Sequence, residues 1–338
     1  MTKPDPQALR NVLKSALQRV ATAAREDTGS PAKRRQAAQL APTETAAPEG
    51  YECKGSRRMS DKPDDDRSKL IDIHSEARLL AILRIELCKI GVKRFAVLTE
   101  ERGLLITISD AAWPWDGSFL LLLIDPIDST DLFLMRFGGA IAITALWVRA
   151  GDAVATVLAA VVLDLLSGET FWADVSTDGA SVDCPVSDGQ WATEALVPGP
   201  SASWPAITVS TYAAKIPRLL RLLEKTGFLE TLDMATARLV SHHGGSLPLC
   251  RVAAGDIAAA LEFGKGYKCI DYVPGAYIAH KAGAGVHISD QPCGPERLDI
   301  ALGATLDERL IETLTRRRRF VVAANQSVAA KLIDAFGI

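Results

Sequence analysis

Two carboxylates stand at the end of a long apolar run in the segment LLLIDPIDST, residues 121–130. Asp125 and Asp128 lie on a turn that Pro126 stiffens, so both can face one pocket. Carboxylate oxygens are the hard ligands that suit Mg²⁺. If a helix begins near Ser129, its free N–H groups and positive dipole end would add an anion site to the same pocket. The alternative is that Asp128 and Ser129 only cap a helix and that Asp125 is a solvated turn residue.

Other acidic residues accompany this turn. Glu100 and Glu101 directly follow a predicted strand and precede the strand that leads into Asp125. Asp72 lies in SKLID near the start of a predicted helix, and Asp271 lies in CIDYVPGA ahead of a helix-like stretch. Taken alone, a Glu-Glu pair is usually a solvated turn and Asp271 an ordinary loop acid. The position of the pair just before the Asp125 strand favours a functional role instead.

One helix and a set of strands are predicted to position these residues in the first half of the chain. Apolar residues recur at helical spacing as far as Ile90, and Gly91 supplies a C-terminal stop, so a helix is predicted from about Ile73. Predicted strands are Phe95 to Leu98, Phe119 to Ile124, Ala140 to Val148, Val154 to Asp164 and Glu169 to Trp172, with a loop from Gly103 to Asp116. The last three of these strands are predicted to be antiparallel.

The second half alternates strands and helices, which is typical of an α/β arrangement. Its predicted elements are a strand from Ala206 to Ser210, a helix from Pro217 to Thr226, a strand from Val321 to Ala324, and a helix capped by Ser327 that ends at Phe336. The residues alone therefore predict a fold that mixes α and β elements.

The N-terminal segment is predicted to be organised differently. Gln7 to Arg25 has apolar residues at the spacing of a modest amphipathic helix. Residues from Glu26 to about Gly50 are rich in Ala, Pro and Thr without apolar periodicity, which is typical of a flexible linker. We therefore divide the chain into residues 1–55, a helix and linker, and residues 56–338, the main domain. The main domain divides further into halves at 56–195 and 196–338.

The composition excludes several classes of protein. The chain has 338 residues, 48% of them hydrophobic, which is ordinary for a globular protein. A net charge of −3 and a pI near 6.0 provide no general attraction to nucleic acid or anionic lipid. The apolar stretches are shorter than the roughly 20 residues of a membrane-spanning helix, and the N terminus lacks a secretory signal. We expect a cytoplasmic protein that acts on a small molecule and binds neither nucleic acid nor membrane.

The acidic motifs resemble those of the inositol monophosphatase and fructose-1,6-bisphosphatase superfamily of metal-dependent, lithium-sensitive phosphatases. The matching motifs are DPIDST at residues 125–130, Glu100-Glu101, Asp271 in CIDYVPGA and Asp72 in SKLID. SKLIDIHSE is most similar to the archaeal-type branch, with Ser68 in place of a threonine. That branch also shares the nine-residue interval from Glu262 to Asp271. The resemblance covers roughly residues 66–338 and leaves the first fifty residues outside it.

This sequence departs from the family pattern at a few positions. Ile270 stands where much of the family has tryptophan, Ser129 replaces the commoner glycine, and an unusual His243-Gly244-Gly245 precedes the segment VAAG. These departures bear on the substrate rather than on the chemistry.

The resemblance implies a fold, a cofactor and a ligand set. The fold is a layered α/β/α/β/α sandwich of the sugar phosphatase type, usually a homodimer. The implied cofactor is Mg²⁺, with two or more ions in the active site. Glu100, Asp125 and the Ile127 carbonyl would hold one ion, and Asp125, Asp128 and Asp271 a second.

The resemblance also assigns roles in hydrolysis of a small phosphate ester. Asp72, Glu100 and Thr130 would be catalytic and would orient the attacking water, with Glu101 a weaker candidate. Asp128 and the amides of Ser129 and Thr130 would bind substrate. Glu262, Lys265 and Lys268 would also bind substrate, the two lysines meeting a hydroxyl or a second phosphate, unless these lysines belong only to a solvated loop.

Several alternatives remain at this point. Inositol monophosphate or a related sugar phosphate is the expected substrate, with fructose 1,6-bisphosphate and 3′-phosphoadenosine 5′-phosphate as rivals. A catalytically silent ligand-binding relative is a different class. A kinase or ATPase would need a phosphate loop such as GxxxxGK[ST], which the sequence lacks. His242 and His243 are expected to be structural, and the Arg316 to Arg319 run is expected to be a solvated edge or an ion-pairing turn.

Overall fold

The computed structural model describes residues 2–42, 46–54, 68–108, 117–149, 151–186, 190–199, 208–210, 238–240, 244–291, 294–300 and 305–336. The predicted helix from Pro217 to Thr226 and the pair His242 and His243 lie outside the described residues. So does the segment 109–116 of the predicted loop.

The described ranges contain eight helices. They are α1 Pro6–Asp27, α2 Pro31–Ala37, α3 Leu70–Lys89, α4 Thr130–Met135, α5 Ser246–Ala253, α6 Cys269–Lys281, α7 Leu306–Thr315 and α8 Gln326–Phe336. The predicted helices near α1, α3 and α8 are confirmed. None of the helices within these ranges combines the length and the apolar character needed to cross a bilayer.

The first sheet is built mainly by the first half of the chain. Its strands are β1 Tyr51–Cys53, β2 Phe95–Thr99, β3 Gly103–Thr107, β4 Ser118–Asp128, β5 Ala140–Arg149, β6 Val154–Asp164, β7 Thr170–Asp174, β8 Ser181–Pro185 and β9 Trp191–Ala195. They pair in the order β1-β3-β2-β4-β5-β6-β7-β8-β9, and β14 Arg297–Asp299 joins β6. β2 and β4 run parallel, whereas β5, β6 and β7 are antiparallel as predicted.

The second sheet belongs to the other half. Its strands are β10 Thr208–Ser210, β11 Arg238–Val240, β12 Ala259–Lys268, β13 Gly285–Ile288 and β15 Arg317–Ala323, in the order β11-β10-β12-β15-β13. β12 and β15 are antiparallel, and their register shifts between Glu262 and Tyr267. The segment between these two residues therefore bulges out of the ladder.

The layers alternate because β4 has apolar side chains on both faces. Leu121 and Leu123 belong to the core that contains α5 and α6, whereas Leu120, Leu122 and Ile124 belong to the core that contains α1 and α3. A strand covered on both faces needs an uninterrupted apolar run, which the sequence FLLLLI provides. Helices α5 and α6 also contact the second sheet, and α8 packs on the far side of it. The order of layers is α/β/α/β/α, as the resemblance implied.

Three local predictions differ from the structure. The segment predicted as a loop from Gly103 contains β3, because Leu104, Leu105 and Ile106 are buried and pair with β2. The predicted linker from Glu26 contains α2, whose first turn is capped by the Ser30 side chain at the Lys33 amide, 3.2 Å away. The cap of the last helix is Asn325, which accepts from the Val328 amide at 3.0 Å, and not Ser327.

Helix α1 packs against the first sheet and α3. Leu9, Leu13 and Leu17 are fully buried. Arg10 forms an ion pair with the buried Asp174 at 2.7 Å, and its guanidinium lies 4.1 Å from the centre of the Trp172 ring. The division of the chain at residue 55 stays a prediction, but the apolar face of α1 is part of the core.

Candidate active site

An acidic cavity of about 200 Å³ opens where the two sheets approach each other. Its lining comes from the ends of β2 and β4, the first turns of α3, α4 and α6, the glycines before α5, and the β12 bulge. The lining residues are Ser68, Lys69, Asp72, Glu100, Glu101, Asp125, Ile127, Asp128, Ser129, Thr130, Asp131, Leu132, Gly244, Lys265, Gly266, Tyr267, Lys268, Asp271 and Arg317.

The turn after β4 carries the two central aspartates. Asp125 pairs with Ala142 of β5 and Asp128 with Ala140, so the residues between them form an irregular step in the ladder. Ser129 follows in the left-handed region, with φ of 66°, and α4 begins at Thr130. This backbone conformation is costly for a non-glycine residue, which explains why glycine suits the position.

Asp72 and Asp271 are presented by the same local motif, Lys-x-Ile-Asp, which occurs at residues 69–72 and 268–271. In each case the lysine precedes the helix, and its backbone amide donates to the aspartate. The distances are 2.8 Å for Lys69 to Asp72 Oδ2 and 2.9 Å for Lys268 to Asp271 Oδ2. One oxygen of each carboxylate is thereby used to cap its own helix.

The backbone at the glycines before α5 lies against Asp128 and Asp271. The amides of Gly245 and Ser246 donate to Asp128 Oδ2 at 2.9 and 3.3 Å, and the Ser246 hydroxyl donates to the Asp271 carbonyl at 2.6 Å. A Cβ on Gly245 would lie 2.2 Å from that carbonyl oxygen. In the sequence, Gly244 and Gly245 are recognisable only as an unusual pair, because their role depends on a close approach between distant segments.

Thr130 contacts both Asp72 and the turn that follows β4. Its hydroxyl lies 2.8 Å from Asp72 Oδ1 and 3.1 Å from the Ile127 carbonyl oxygen. The carbonyl and the carboxylate therefore both lie within reach of one small polar side chain.

Burial and mutual repulsion raise the pKa values of the aspartates. Burial raises the pKa of Asp125 well above its usual range, and the charges of Asp128, Asp271, Glu100 and Asp72 raise it further. Burial raises the pKa of Asp271 to about 7, with Glu100 adding to the effect and the Lys268 ammonium opposing it. Burial likewise raises the pKa values of Asp72 and Asp128 to about 6, although hydrogen bonds to both carboxylates oppose the rise.

The carboxylate of Asp125 differs from the other aspartates of the cavity in its lack of stabilising contacts from the described residues. Its residue is 5% exposed, and within the described part of the chain no hydrogen-bond donor or cation contacts its carboxylate. A buried carboxylate of this kind is costly unless a cation or a proton neutralises it. The donor set around it consists of carboxylate and carbonyl oxygens, which fits Mg²⁺.

The other wall of the cavity is basic. Lys265 lies in the β12 bulge, Lys268 ends that strand, and Arg317 begins β15 directly opposite Lys268. The Lys268 ammonium lies 2.5 Å from Glu100 Oε1, and the Arg317 guanidinium donates to the Gly266 carbonyl at 3.1 Å. A cavity with one acidic and one basic wall is suited to a metal-bound anion.

The structure separates the predicted site residues into two groups. Asp72, Glu100, Asp125, Ile127, Asp128, Ser129, Thr130, Lys265, Lys268 and Asp271 all line the cavity, and Glu101 lines it as well. Glu262 does not belong to this lining. It is 3% exposed, and its Oε1 accepts from the amides of Gly264 and Gly266 at 2.8 and 3.1 Å, so it shapes the bulge that carries Lys265.

The arginines of the run 316–319 have different contacts. Arg316 and Arg318 both form ion pairs with Asp299, at 2.9 and 3.0 Å, so the predicted ion pairing is present. The run from Arg317 onward lies in β15, however, and not in a turn or at a solvated edge, because Arg318 is buried in that strand. Arg317 instead lines the cavity. The sequence does not distinguish Arg317 from the other three arginines of the run, because only strand pairing determines which face of β15 each side chain occupies.

The structure is thus a layered α/β protein with an acidic cavity at the edge of its two sheets. The sequence pattern of the inositol monophosphatase family matches residues 33–335. The chain belongs to this family. The match begins well before residue 66, where the motifs alone had placed the start of the resemblance, and it includes most of α2.

Solved structures of the same fold cover nearly the whole chain. SuhB of Mycobacterium tuberculosis has a TM-score of 0.59 and 18% identity, covering 99% of this chain and 98% of that one. The extragenic suppressor protein SuhB of Bartonella henselae has a TM-score of 0.61 and 17% identity, covering 96% and 97%. The Thermotoga maritima IMPase has a TM-score of 0.57 and 16% identity, covering 95% of each chain. No curated protein matches the sequence significantly.

Proposed function

We propose that this protein is a Mg²⁺-dependent phosphomonoesterase that hydrolyses inositol monophosphate or a related sugar phosphate. One observation carries the proposal: carboxylates from distant segments line one cavity around Asp125, for which the described part of the chain provides no donor. Membership of a phosphatase family supports the same conclusion.

The proposed metal ligands follow from the donor set. Glu100, Asp125 and the Ile127 carbonyl would hold one Mg²⁺, and Asp125, Asp128 and Asp271 a second. Bound at these positions, the ions would neutralise phosphate charge, acidify a water molecule and stabilise the leaving alkoxide. The amides of Gly245 and Ser246 would hold Asp128 in place throughout.

Thr130 and Asp72 would orient the attacking water. The Thr130 hydroxyl can donate to Asp72 Oδ1, 2.8 Å away, and accept from a water with its remaining lone pair. Because the other oxygen of Asp72 caps α3, this carboxylate is held in a fixed orientation. A fixed acceptor beside the reacting water is what general-base catalysis requires. Glu101, which is 8% exposed and lines the cavity, is the second candidate for this role.

The substrate would bind between the acidic and the basic wall. The amides of Ser129 and Thr130, at the start of α4, would bind phosphate oxygens together with the ions at Asp128. Lys265 and Lys268 would contact the remainder of the substrate from the opposite wall. Glu262 would act on the substrate indirectly, through the shape of the bulge.

Phosphate release tests the activity and the substrate together. Purified protein with Mg²⁺ is assayed on inositol monophosphates, fructose 1,6-bisphosphate and 3′-phosphoadenosine 5′-phosphate, with and without Li⁺. We expect Mg²⁺-dependent release that Li⁺ inhibits, with inositol or sugar monophosphates preferred. Asp128→Asn should abolish release, whereas Asp152→Asn, at an exposed position outside the cavity, should leave it unchanged.

The same assay separates the rival readings. Preference for either bisphosphate would replace the proposed substrate but leave the reaction in place. Tight binding of a phosphate ester without release, in the wild type and in Asp128→Asn alike, would identify a catalytically silent binding protein and overturn the proposal.

Three further features belong to this proposal: a homodimer, a cytoplasmic location, and the division of the chain at residue 55. The exposed Met135 and Phe137, 61% and 75% accessible in the single chain, support self-association. Size-exclusion chromatography with light scattering should give twice the mass of one chain. Phe137→Glu should shift the measured mass towards that of the monomer.

A further inference from the structure

Lys268 places a positive charge on one of the proposed metal ligands. Its Nζ lies 2.5 Å from Glu100 Oε1, and its side chain is only 5% exposed. In the described ranges, no ion pair involves Asp125, Asp128 or Asp271. Within the described residues, Lys268 is therefore the one side chain that forms an ion pair with a proposed metal ligand.

The backbone of Lys268 is fixed on the opposite side of the cavity. Its amide donates to Asp271 Oδ2, and it pairs across the ladder with Arg317 of β15. Like charges directly opposite on neighbouring strands repel, so this pair is unfavourable for the sheet alone. The Lys268 side chain forms its ion pair with Glu100, which follows β2 in the other sheet.

One carboxylate oxygen of Glu100 is thus held by Lys268. No three acidic, histidine or cysteine side chains of the described residues already have metal-binding geometry. Under the proposed function a Mg²⁺ ion needs Glu100 as a ligand. An ammonium group and a divalent cation on one carboxylate repel each other, so metal binding weakens the ion pair between Lys268 and Glu100.

We propose that Lys268 is an internal counter-cation that competes with the metal for Glu100 and binds the substrate after the metal has displaced it. The inference rests on the proposed function. Before metal binds, the ammonium offsets part of the repulsion among the carboxylates. Once displaced, it stands beside the metal ions with no carboxylate partner, and the phosphate ester becomes its partner. Substrate binding should therefore follow metal binding.

Metal affinity tests the competition without any measurement of turnover. Mg²⁺ is titrated calorimetrically into the wild type, Lys268→Met and Arg317→Met. Both variants remove one positive charge from the same cavity, but only the first removes the ammonium group that contacts Glu100. We expect Lys268→Met to bind Mg²⁺ about tenfold more tightly, the size of one charge-assisted pair, and Arg317→Met to change the affinity less than about threefold.

A double-mutant cycle shows whether the effect passes through Glu100. In a Glu100→Gln background, Lys268→Met should gain no more affinity than Arg317→Met does. Lys268→Met should also raise the KM for inositol 1-phosphate, because the displaced ammonium no longer meets the phosphate. Tighter metal binding with weaker substrate binding is a combination that a purely structural role does not produce.

A second measurement uses the unaltered side chain. Reductive methylation of Lys268 in the wild type, followed by mass spectrometry, should increase when Mg²⁺ is added, since the ammonium leaves its buried ion pair. In Asp125→Asn, Mg²⁺ should cause no such increase. Equal labelling of the wild type with and without Mg²⁺ would overturn the inference even if Lys268→Met does not fold.

The outcomes distinguish the two proposals. If the wild type binds Mg²⁺ and Lys268→Met binds it no more tightly than Arg317→Met, the competition is wrong and the proposed function stands. If the wild type binds no Mg²⁺ and releases no phosphate, both fall.

Discussion

Glu76 and Arg102 form an ion pair in the interior, with 0% and 6% of their surfaces exposed. Arg102 directly follows the Glu100-Glu101 turn, and its amide donates to the Thr99 hydroxyl at 3.0 Å. The pair therefore ties this turn to helix α3, which also carries Asp72. A contact remote from the substrate can in this way set the position of a proposed metal ligand.

Breaking this pair should cost both stability and metal binding. Arg102→Met leaves the Glu76 carboxylate buried without a cation, which typically costs about 3–5 kcal/mol. We expect a large fall in the midpoint of chemical denaturation and weaker Mg²⁺ binding by the folded fraction. Arg19→Met, which removes an exposed partner of Glu86, is the matched control and should leave the midpoint unchanged. A stable Arg102→Met variant with normal Mg²⁺ affinity would contradict the positioning role.

Helix α1 should be required for stability. Leu13 is fully buried in the core that also contains β4, so Leu13→Ala should lower the free energy of unfolding by about 2–5 kcal/mol. Leu166, which is 50% exposed, provides the control: Leu166→Ala should have little effect. Urea denaturation monitored by tryptophan fluorescence measures both. Equal stability of the two variants would indicate that α1 is only loosely attached.

Neutralising Asp125 should stabilise the metal-free protein while it removes the metal site. Because burial and four neighbouring carboxylates raise its pKa, the folded state favours the protonated form, and ionisation near neutral pH is destabilising. Asp125→Asn should therefore raise the Tm in EDTA by about 2 °C or more. Added Mg²⁺ should raise the Tm of the wild type but not that of the variant. A lower Tm for Asp125→Asn in EDTA would show that the carboxylate is stabilising.

The affinity for Mg²⁺ should fall as the pH is lowered. In the metal-free protein the pKa of Asp271 is about 7 and that of Asp128 about 6, both raised from the usual 3.8. Protons therefore occupy these carboxyls below the raised values, and Mg²⁺ must displace them. From about pH 8 to about pH 6, the apparent affinity should fall by at least about tenfold.

Calorimetry in buffers of different ionisation enthalpy checks this directly. Proton release on Mg²⁺ binding should be largest near the pKa of Asp271 and small at alkaline pH. A pH-independent affinity with no proton release would mean that the carboxylates are already ionised before metal binds.

The close approach at Gly245 should tolerate no side chain. In Gly245→Ala the new methyl would collide with the Asp271 carbonyl, so both α5 and Asp271 must shift. We expect loss of most phosphate release and a lower Mg²⁺ affinity. Gly294→Ala, where no atom lies within 4 Å of the added Cβ, should behave like the wild type. Retained activity in Gly245→Ala would show that the amides around Asp128 are dispensable.

Features encoded by neighbouring residues were predictable from the sequence. The apolar run FLLLLI determines a strand buried on both faces, and the turn after it carries Asp125 and Asp128 within a few residues. The Lys-x-Ile-Asp motif acts within a single helical turn, so its effect is local as well. Apolar periodicity in the same way identified α1 and α3 before their packing was known.

Only the tertiary structure decided which distant groups meet. The amides of Gly245 and Ser246 reach Asp128 across more than a hundred residues of chain, and Lys268 reaches Glu100 across a similar separation. Arg317 is distinguished from its neighbours only by the pairing of β15 with β12. A strand or helix signal reports local spacing, whereas these contacts depend on how two sheets pack around α5 and α6, which no local pattern specifies.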